Sequence, residues 1–319
     1  MYVKLETLNI SREQQYKVLP EKRWDIFLKI EEELKFRKMK KKVAIQGVAG
    51  CFHDIAAHNY YEGEEIEIIT CISFPEVIAA VKKDPSVVGM MAIENTIAGS
   101  LLQNHELIRE SGLKVTGEYK LRISHSLAAL PGTSIHEVTE ANSHPNALMQ
   151  CTEFLNTLPN AKVVEKEDTA LSAKWIAENQ LKGHAAICGK LAAEIYGLEV
   201  LAEGIETNKR NFTRFLSLAD RWGADETKRC VDKNKSSLVF AIPHTSGSLS
   251  KVLAVLSFYD MNLTKIQSLP IIGREWEYLF YVNLTFSDYA RYQKALDAIQ
   301  PLTKDLKILG EYAEGKQSV

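Results

Sequence analysis

The stretch VAIQGVAGCFHDIAAHNYY, from Val43 to Tyr61, decides how this chain folds. A short β-branched apolar run comes first, a glycine-containing turn follows, and an apolar pattern of helical period completes the unit. The same order recurs in IEIITCIS with PEVIAAVKK, and again in VVGMMAI with LLQNHELIRES. Alternating strands and helices are typical of βαβ units, so the sequence predicts an α/β fold with a largely parallel sheet.

The alternation pauses at GEYKLRISHSLAAL, a bridge from Gly117 to Leu130, and then resumes until TRFLSLA, from Thr213 to Ala219. We therefore expect two α/β lobes within residues 43–225. Ligands of such sheets bind outside the carboxyl ends of the strands, so the cleft between the lobes is the expected site.

A second architecture follows within residues 234–313. SLVFAIPH, SLSKVLAVLSFYD, NLTKIQSLP, WEYLFYVNLTF, YARYQKALDAI and DLKILGEY follow one another in the order βαββαβ. This order predicts a separate ferredoxin-like domain. Gly247 lies at the turn before its first helix, where a small ligand could bind at a shared dimer edge; a purely structural dimerisation role is equally compatible with the pattern.

Residues 1–42 form an N-terminal extension, and Glu21 to Lys42 is densely charged. A helical extension that acts as a solvated linker is the preferred interpretation, although the basic run Arg37 to Lys42 could attract anions. Since Met39 precedes a sensible domain start, the residues before it could also be an upstream start or expression sequence.

Composition excludes several classes of protein. With 319 residues, 45% hydrophobic, 25% charged and a net charge of -2, the chain is typical of a globular protein of two or three domains and gives no basis for binding nucleic acid. No apolar run approaches a membrane span and no signal-peptide pattern opens the chain, so we expect no membrane partner and a cytoplasmic location. The five cysteines form no CxxC pair, which indicates reduced thiols and no metal site.

Several helix starts carry groups suited to holding anions. Thr96 to Ser100, Ser143 to Pro145, and Asp168 with Thr169 each precede a helical pattern, and Glu94 with Asn95 ends a strand. Free backbone N–H groups and the helix dipole favour negative charge at such positions. Each alone is an ordinary cap, but together they indicate a polar cleft for a small acidic substrate.

These motifs, taken in order, carry a resemblance to a known family. The span from Val43 to about Tyr312 resembles prephenate dehydratase of the monofunctional bacterial type with a C-terminal ACT domain. The resemblance rests on GVAGCFHDIAA, MAIENTIAGS, ISHSLAAL, SHPNALMQC, YGLEVLAEGIE, NFTRFL, SLVFAIPHTSGSLSKVL, NLTKIQSLP and WEYLFYV. It implies a two-lobed catalytic domain like a periplasmic binding protein, followed by a ferredoxin-like regulatory domain.

The resemblance also implies a reaction: prephenate loses carbon dioxide and water and becomes phenylpyruvate, without a cofactor or a metal, in the synthesis of L-phenylalanine. The family's catalytic threonine corresponds to Thr213, whose hydroxyl pKa is too high for ionisation, so a hydrogen-bond donor or general-acid role fits it better than nucleophilic attack. Residues expected to bind substrate in the cleft are Glu94, Asn95, Ser143, His144, Thr169, Asn211, Arg214 and Phe215.

Three of the charged or titratable positions have two interpretations each. Arg214 could hold a substrate carboxylate, but adjacent side chains on a strand point to opposite faces, so it could equally orient the motif from behind. Glu94 would repel a dianion unless it is paired or protonated, so it could instead orient its neighbours. For His125, at the bridge between the lobes, a structural role is favoured over a catalytic one.

The chain departs from the family pattern at two places. Gly50-Cys51-Phe52-His53 stands where the family has hydroxyl residues, so a thiol or an imidazole could replace that substrate contact, or the contact could be absent. Gln267 to Pro270 reads QSLP where the family has ESRP, which removes two charges from the expected phenylalanine site. That allosteric site is expected at Gly247, Ser248, Leu249, Asn262, Leu263, Gln267 and Ser268.

A phenylalanine site shared between two regulatory domains requires an oligomer, so we expect a homodimer or homotetramer. Two other functions remain open. Arogenate dehydratase differs only in the substrate's amino group, and prephenate is favoured by the bacterial-type organisation. A non-enzymatic amino-acid-sensing protein is the other possibility, since two lobes around a cleft also describe solute-binding proteins; a pure binder would have no need of Thr213 for turnover.

Overall fold

A computed structural model describes residues 40–221, 223–224 and 233–318 of the chain. The predicted helical extension falls on residues 1–39, which lie outside the described residues, and so does the predicted boundary at residue 225. The first described strand begins at Lys41, two residues before the expected start at Val43.

The first lobe is a mixed six-stranded sheet with helices on its faces. Its strands are β1 (Lys41–Gln46), β2 (Ile66–Cys71), β3 (Val87–Asn95), β4 (Gly99–Ser100), β5 (Lys114–Arg122) and β11 (Phe212–Ala219). Its helices are α1 (Phe52–Tyr60), α2 (Phe74–Lys83) and α3 (Leu102–Ser111). The strand order is β2-β1-β3-β11-β5, and β4 pairs with β3.

The second lobe is a five-stranded sheet. Its strands are β6 (Ser126–Ala129), β7 (Glu140–Ser143), β8 (Lys162–Glu165), β9 (His184–Cys188) and β10 (Glu199–Glu203). Its helices are α4 (Pro145–Gln150), α5 (Thr152–Leu155), α6 (Thr169–Glu178) and α7 (Lys190–Ile195), with a 3-10 turn at Ile135–Glu137. The strand order is β10-β6-β9-β7-β8.

The predicted α/β fold with two lobes is confirmed, but each sheet is only half parallel. Strands β2, β1 and β3 run parallel in the first lobe, as do β9, β7 and β8 in the second. Strands β11, β6 and β10 pair antiparallel with their neighbours. In each lobe the strand that enters from the crossing segments, β6 in the second lobe and β11 in the first, runs opposite to both of its neighbours.

Two chain segments cross side by side between the lobes and hold each other. The amide of Ile123 donates to the carbonyl of Asn211 at 2.8 Å, and the amide of Ile205 donates to the carbonyl of His125 at 2.9 Å. The carboxylate of Glu206 accepts the amide N–H of His125 at 2.9 Å. These hydrogen bonds hold the two crossing segments together at the base of the cleft between the lobes.

The C-terminal domain, residues 235–312, has the predicted βαββαβ order. Its elements are β12 (Lys235–Ala241), α8 (Ser248–Phe258), β13 (Asn262–Pro270), β14 (Tyr278–Thr285), α9 (Tyr289–Ile299), a 3-10 turn (Gln300–Leu302) and β15 (Lys304–Tyr312). The antiparallel sheet has the order β13-β14-β12-β15. This is the ferredoxin-like arrangement, with β13 and β15 at the two edges.

The last strand and the tail of the chain dock on the edge of the first lobe. A Cβ atom at Gly310 would clash with the carbonyl oxygen of Val115, and one at Gly315 would clash with that of Glu118, so both glycines permit close backbone approach to β5. Beyond β15, Gln317 forms a parallel bridge with Lys120. The C-terminal segment thereby adds to the edge of the first lobe's sheet.

None of the helices within the described ranges is both long enough and apolar enough to cross a membrane.

Candidate active site

A cavity of about 410 Å³ lies between the two lobes. Such a volume suits a small-molecule ligand. Five of the residues predicted to form the site line it, namely Thr213, Asn95, His144, Thr169 and Phe215. Other side chains in the wall include Cys51, Phe52, His53, Phe74, Ser100, Ile123, His125, Gln150 and Asp168.

Thr213 reaches the cavity because of its place in the sheet. It lies on β11 directly opposite Asn95 of β3, although 118 residues separate the two in sequence. Side chains of a strand alternate between faces, so Thr213 and Phe215 face the cavity while Arg214 faces away from it. A register shift between Arg214 and Phe215 marks an irregularity within the pairing of β11 with β3.

The side-chain amide of Asn95 determines whether the Thr213 hydroxyl can donate a hydrogen bond to a ligand in the cavity. Its Oδ1 accepts the backbone N–H groups of Ile97 and Ala98 at 2.9 and 2.8 Å, so its Nδ2 must face the opposite way. That Nδ2 lies 3.0 Å from Thr213 Oγ1 and donates to it. Since the threonine oxygen already accepts this bond, its own proton is available to an acceptor in the cavity.

A second set of amides lies behind Asn95. The Asn95 Nδ2 also donates to Asn211 Oδ1 at 2.8 Å, and the Asn211 Nδ2 donates to Gln150 Oε1 at 2.7 Å. His125 Nε2 lies 3.0 Å from the same Gln150 oxygen. Asn211 is fully buried and does not line the cavity, so it supports Asn95 from behind.

The second lobe contributes two helix starts to the wall. His144 caps α4 by accepting the N–H of Asn146 with its Nδ1, and Asp168 caps α6 by accepting the N–H of Leu171 at 2.9 Å. Burial raises the pKa of Asp168. Thr169 begins α6 and is largely buried. The two helix starts predicted in this lobe therefore meet at the cavity.

Four of the predicted cleft residues do not line this cavity: Glu94, Ser143, Asn211 and Arg214. Ser143 is buried and donates its hydroxyl to the carbonyl of Ile187 at 2.5 Å, which ties β7 to β9. Glu94 and Arg214 pair with each other on the far side of the sheet, where NH1 of Arg214 lies 3.0 Å from the carboxylate. Strand alternation places them there, so Arg214 orients the motif from behind, which is one of its two predicted interpretations.

This ion pair belongs to a chain of charges that joins the first lobe to the C-terminal domain. Arg214 Nε donates to Glu118 at 2.6 Å, and Lys235 Nζ donates to the other oxygen of Glu118 at 2.8 Å. Lys265 of β13 donates to Glu94 and, at 2.7 Å, to the hydroxyl of Ser100. Because Ser100 lines the cavity, one side chain of the C-terminal domain reaches the wall of the site.

These pairings control the charge of the two carboxylates. Burial alone would raise the pKa of Glu94, but Arg214 and Lys265 outweigh it and hold the pKa below its ordinary value. Glu118 follows the same rule, with Arg214 and Lys235 as its partners. Both groups are therefore ionised near neutral pH, and the predicted conflict between Glu94 and an anionic substrate is removed by pairing.

The departure at residues 50–53 is also resolved in the structure. The Cys51 thiol is 3% exposed, contacts the carbonyl of Gln46, and has its pKa raised to about 12 by burial, so it stays protonated. His53 accepts the backbone N–H of Ala92 at Nε2, and burial lowers its pKa to about 3. Its ring packs edge-on against Phe215. The site thus has a neutral thiol and a neutral imidazole where the family pattern has hydroxyls.

A separate cavity of about 190 Å³ lies in the C-terminal domain. Gly247, Ser248 and Leu249 of the predicted allosteric site line it, together with the aromatic side chains Trp276, Tyr278 and Phe280. The other four residues predicted for that site lie on β13 and are not in its lining: Asn262, Leu263, Gln267 and Ser268.

Across the part of the chain that the structure describes, no cluster of three or more His, Cys, Asp or Glu side chains could hold a metal ion. The four described cysteines are free and buried.

Sequence reasoning missed several residues that complete the site. Gln150 lies in the SHPNALMQC motif but carries no signal of its own, and the pattern at Asp168 indicates only a helix start. Glu118, Lys235 and Lys265 come from segments remote in sequence, and no local pattern pairs them with Arg214 or Glu94. Only the register of β3, β11 and β5, together with the docking of the C-terminal domain, brings them together.

Comparison with known proteins agrees with this geometry. Residues 43–222 match the family described as prephenate dehydratase. A relative from Arabidopsis thaliana, named arogenate dehydratase 5, chloroplastic, is 37% identical over 289 residues, which are 85% of this chain and 67% of the relative. The bifunctional chorismate mutase/prephenate dehydratase of Enterobacter agglomerans is 30% identical over 274 residues, 85% of this chain and 70% of the relative.

Among solved structures, the prephenate dehydratase of Arthrobacter aurescens in complex with L-Phe superposes with a TM-score of 0.76 at 26% identity. The match covers 86% of this chain and 90% of that chain. The chain spans about two thirds of the length of the curated relatives named above. The cavity, its threonine and these similarities together establish that the chain belongs to the prephenate dehydratase family of enzymes.

Proposed function

We propose that the cavity between the lobes converts prephenate into phenylpyruvate, carbon dioxide and water. The observation that carries this proposal is the orientation of Thr213. Its hydroxyl oxygen accepts a hydrogen bond from Asn95 at 3.0 Å, so its proton is free to bond an oxygen of the substrate. A fixed donor beside a developing hydroxide is the contribution that this reaction needs.

The chemistry requires little else from the protein. The ring carboxylate leaves as carbon dioxide, its electron pair enters the ring, and the ring hydroxyl leaves with a proton that comes in the net balance from solvent, so that it becomes water. Aromatisation supplies the driving force. Thr213 donates to the departing oxygen, and Phe215 and Phe52 offer apolar surface to the ring in a partly dry cavity. No residue of the site needs to form a covalent bond.

The carboxylates of the substrate must be held without a lysine or an arginine, because neither residue type occurs in the described lining of the cavity. We assign their binding to His144 and to Thr169 at the start of α6, because the amide of Asn95 is already engaged by Ile97, Ala98, Asn211 and Thr213. The dipole of α6, a helix of 10 residues, favours negative charge at that end.

Arogenate is the second candidate substrate, and two observations favour it. The Arabidopsis relative is named an arogenate dehydratase. In addition, Asp168 is the one carboxyl group in the described lining of the cavity. Arogenate carries an ammonium group where prephenate carries a ketone, and a carboxylate would attract that group. Dehydration of arogenate would yield phenylalanine directly.

The test is turnover by the purified full chain on each substrate in turn, with phenylpyruvate measured from prephenate and phenylalanine measured from arogenate. The proposal predicts product from prephenate. Product from arogenate alone would transfer the function to the second candidate. Saturable binding of both compounds without any product would support the amino-acid-sensing alternative and refute a dehydratase.

We further propose that phenylalanine binds the C-terminal domain, an ACT domain by its resemblance, and inhibits the enzyme. The related Arthrobacter aurescens structure was solved with L-Phe bound. Here the cavity at Gly247 offers aromatic walls for such a ligand, and Lys265 offers a direct contact to the catalytic lobe. An effector that changes the position of β13 would thereby act on Glu94 and Ser100.

This regulation would use two copies of the chain. The residues predicted for the phenylalanine site fall into two groups, one lining the cavity at Gly247 and the other on the edge strand β13. A second copy could place its β13 beside that cavity, and exposed sheet edges favour such pairing. We therefore propose a homodimer or homotetramer, and sedimentation with and without phenylalanine would measure the oligomeric state.

We propose a cytoplasmic location for the protein. The free buried thiols of the described cysteines are compatible with it.

A further inference from the structure

We infer that Gln150 is a positioning residue for catalysis, acting on Thr213 through a chain of three hydrogen bonds that starts in the second lobe. The inference rests on the proposed dehydratase function and adds a residue to it. Gln150 ends α4, is 8% exposed, and lies in the wall of the cavity. Its side chain reaches β3 of the first lobe through the amides of Asn211 and Asn95.

The contacts of Asn95 determine which group donates and which accepts in each of the three hydrogen bonds. Backbone N–H groups of Ile97 and Ala98 occupy Asn95 Oδ1, so Asn95 can only donate toward Thr213 and Asn211. Asn211 must therefore present its oxygen to Asn95 and its Nδ2 to the other side. There it needs an acceptor, because an unpaired buried N–H is costly. Gln150 Oε1 is that acceptor, at 2.7 Å.

His125 fixes the other end of the chain. Its Nε2 lies 3.0 Å from the Gln150 oxygen, while its Nδ1 is buried and has no hydrogen-bond partner among the described residues. The oxygen of Gln150 thus accepts from both Asn211 and His125, and its orientation is determined by two donors at once. A bare Nδ1 together with a donating Nε2 specifies one neutral tautomer of the imidazole.

Removal of the Gln150 acceptor oxygen would disrupt the series of hydrogen bonds that ends at Thr213. Asn211 could then rotate its amide and turn its Nδ2 toward Asn95. Two N–H donors, the Nδ2 groups of Asn211 and Asn95, would then face each other without an acceptor. Asn95 would lose the partner that holds it beside Thr213, and the hydroxyl would no longer be held against the reacting oxygen. Displacement of a catalytic group by about 1 Å costs roughly 100-fold in rate, so the effect falls on kcat rather than on substrate binding.

The test compares Gln150→Met, which keeps the size but removes the acceptor, with Gln150→Glu, which keeps an acceptor oxygen. Met149→Gln on the neighbouring, exposed position of α4 is the matched control. In the full chain we expect Gln150→Met to lower kcat on prephenate by roughly 10- to 100-fold with KM changed less than about threefold. Gln150→Glu should recover most of kcat, and Met149→Gln should match the wild type.

Each other outcome has a definite meaning. A kcat of Gln150→Met equal to that of the wild type would overturn the inference and leave the dehydratase function standing. Equal losses in Gln150→Met and Gln150→Glu, with thermal unfolding unchanged, would assign the effect to packing and also overturn it. If Gln150→Met does not fold, Gln150→Glu still decides, because a folded but inactive glutamate variant contradicts an acceptor role. Absence of turnover by the wild type on prephenate and arogenate would overturn both proposals.

Discussion

At the scale of single residues, the side chains of the NFTRF motif alternate between the two faces of strand β11 and so have two different roles. Thr213 and Phe215 line the cavity, while Arg214 is buried on the other face in ion pairs with Glu94 and Glu118. A buried guanidinium left without these partners would be strongly destabilising. The hydroxyl and the guanidinium are therefore adjacent in sequence because one faces the substrate and the other anchors the strand.

The same scale offers a test of substrate choice at Asp168. Asn is as good a helix cap as Asp, so Asp168→Asn removes the charge while it preserves the start of α6. If the carboxylate reads the ammonium group of arogenate, kcat/KM for arogenate should fall by roughly 10-fold or more, and that for prephenate should change much less. Steady-state kinetics on both substrates measures this. Equal changes for the two substrates would exclude Asp168 as the group that distinguishes them.

At the scale of elements, strand β13 joins the proposed phenylalanine site to the first lobe. Lys265 lies between the two segments predicted to bind phenylalanine and contacts both Glu94 and Ser100. Burial lowers its pKa, and the contact with Glu94 opposes that shift. A movement of β13 would therefore change the contact of Lys265 with Ser100 in the wall of the cavity.

We expect Lys265→Met to uncouple phenylalanine from catalysis. Added phenylalanine should then alter kcat/KM at least several-fold less than it does in the wild type, while the thermal shift that reports phenylalanine binding persists. Lys294→Met, an exposed substitution on α9, is the control for loss of one positive charge. Unchanged inhibition in Lys265→Met would show that the signal travels by another route.

The docking of β15 and the tail on β5 makes a second prediction for an element. A side chain at Gly315 would meet the carbonyl of Glu118, so Gly315→Val should force the tail from the sheet edge and destabilise the chain by roughly 1–3 kcal/mol. Urea unfolding measures this, and limited proteolysis should cut the released tail. Gly189→Ala, where a Cβ would meet only ordinary contacts, serves as control. A valine variant as stable as that control would contradict the close approach.

At the scale of the whole molecule, buried charges hold the C-terminal domain to the catalytic lobe, and this gives a pH dependence. The pKa values of Glu94 and Glu118 are lowered in the folded chain. Their stabilisation is therefore complete above the unfolded value of about 4.3 and is lost as pH falls through the lower folded values. The free energy of unfolding should fall steeply below about pH 4.

Urea unfolding at several pH values from neutral to acid would measure this loss. Glu118→Gln should be less stable at neutral pH, by roughly 3–5 kcal/mol, because it leaves Arg214 and Lys235 without their shared carboxylate. Its stability should also vary less with acid than that of the wild type. An identical acid slope in the two proteins would show that other carboxylates dominate.

The sequence predicted the architecture because its signals are local. Strand and helix periods, turns and caps act over a few residues, so both lobes, the βαββαβ domain and the caps at His144 and Asp168 could be anticipated. The partners of Arg214 could not, because Glu118 and Glu94 are brought to it by sheet register, and Lys235 and Lys265 by domain docking. The tail at Gln317 carries no strand pattern, and its pairing with β5 depends on an edge that the sequence does not reveal.

The central claim is that the Thr213 hydroxyl donates to the oxygen that leaves the substrate, and the most direct measurement is kcat of Thr213→Val on the substrate that the wild type turns over. Valine keeps the shape of the side chain, and Asn95 keeps its bonds to Asn211 and the Phe212 carbonyl. We predict a fall in kcat of roughly 100- to 1,000-fold with unchanged thermal unfolding, and a clear recovery in Thr213→Ser. A valine variant that turns over like the wild type would contradict the account.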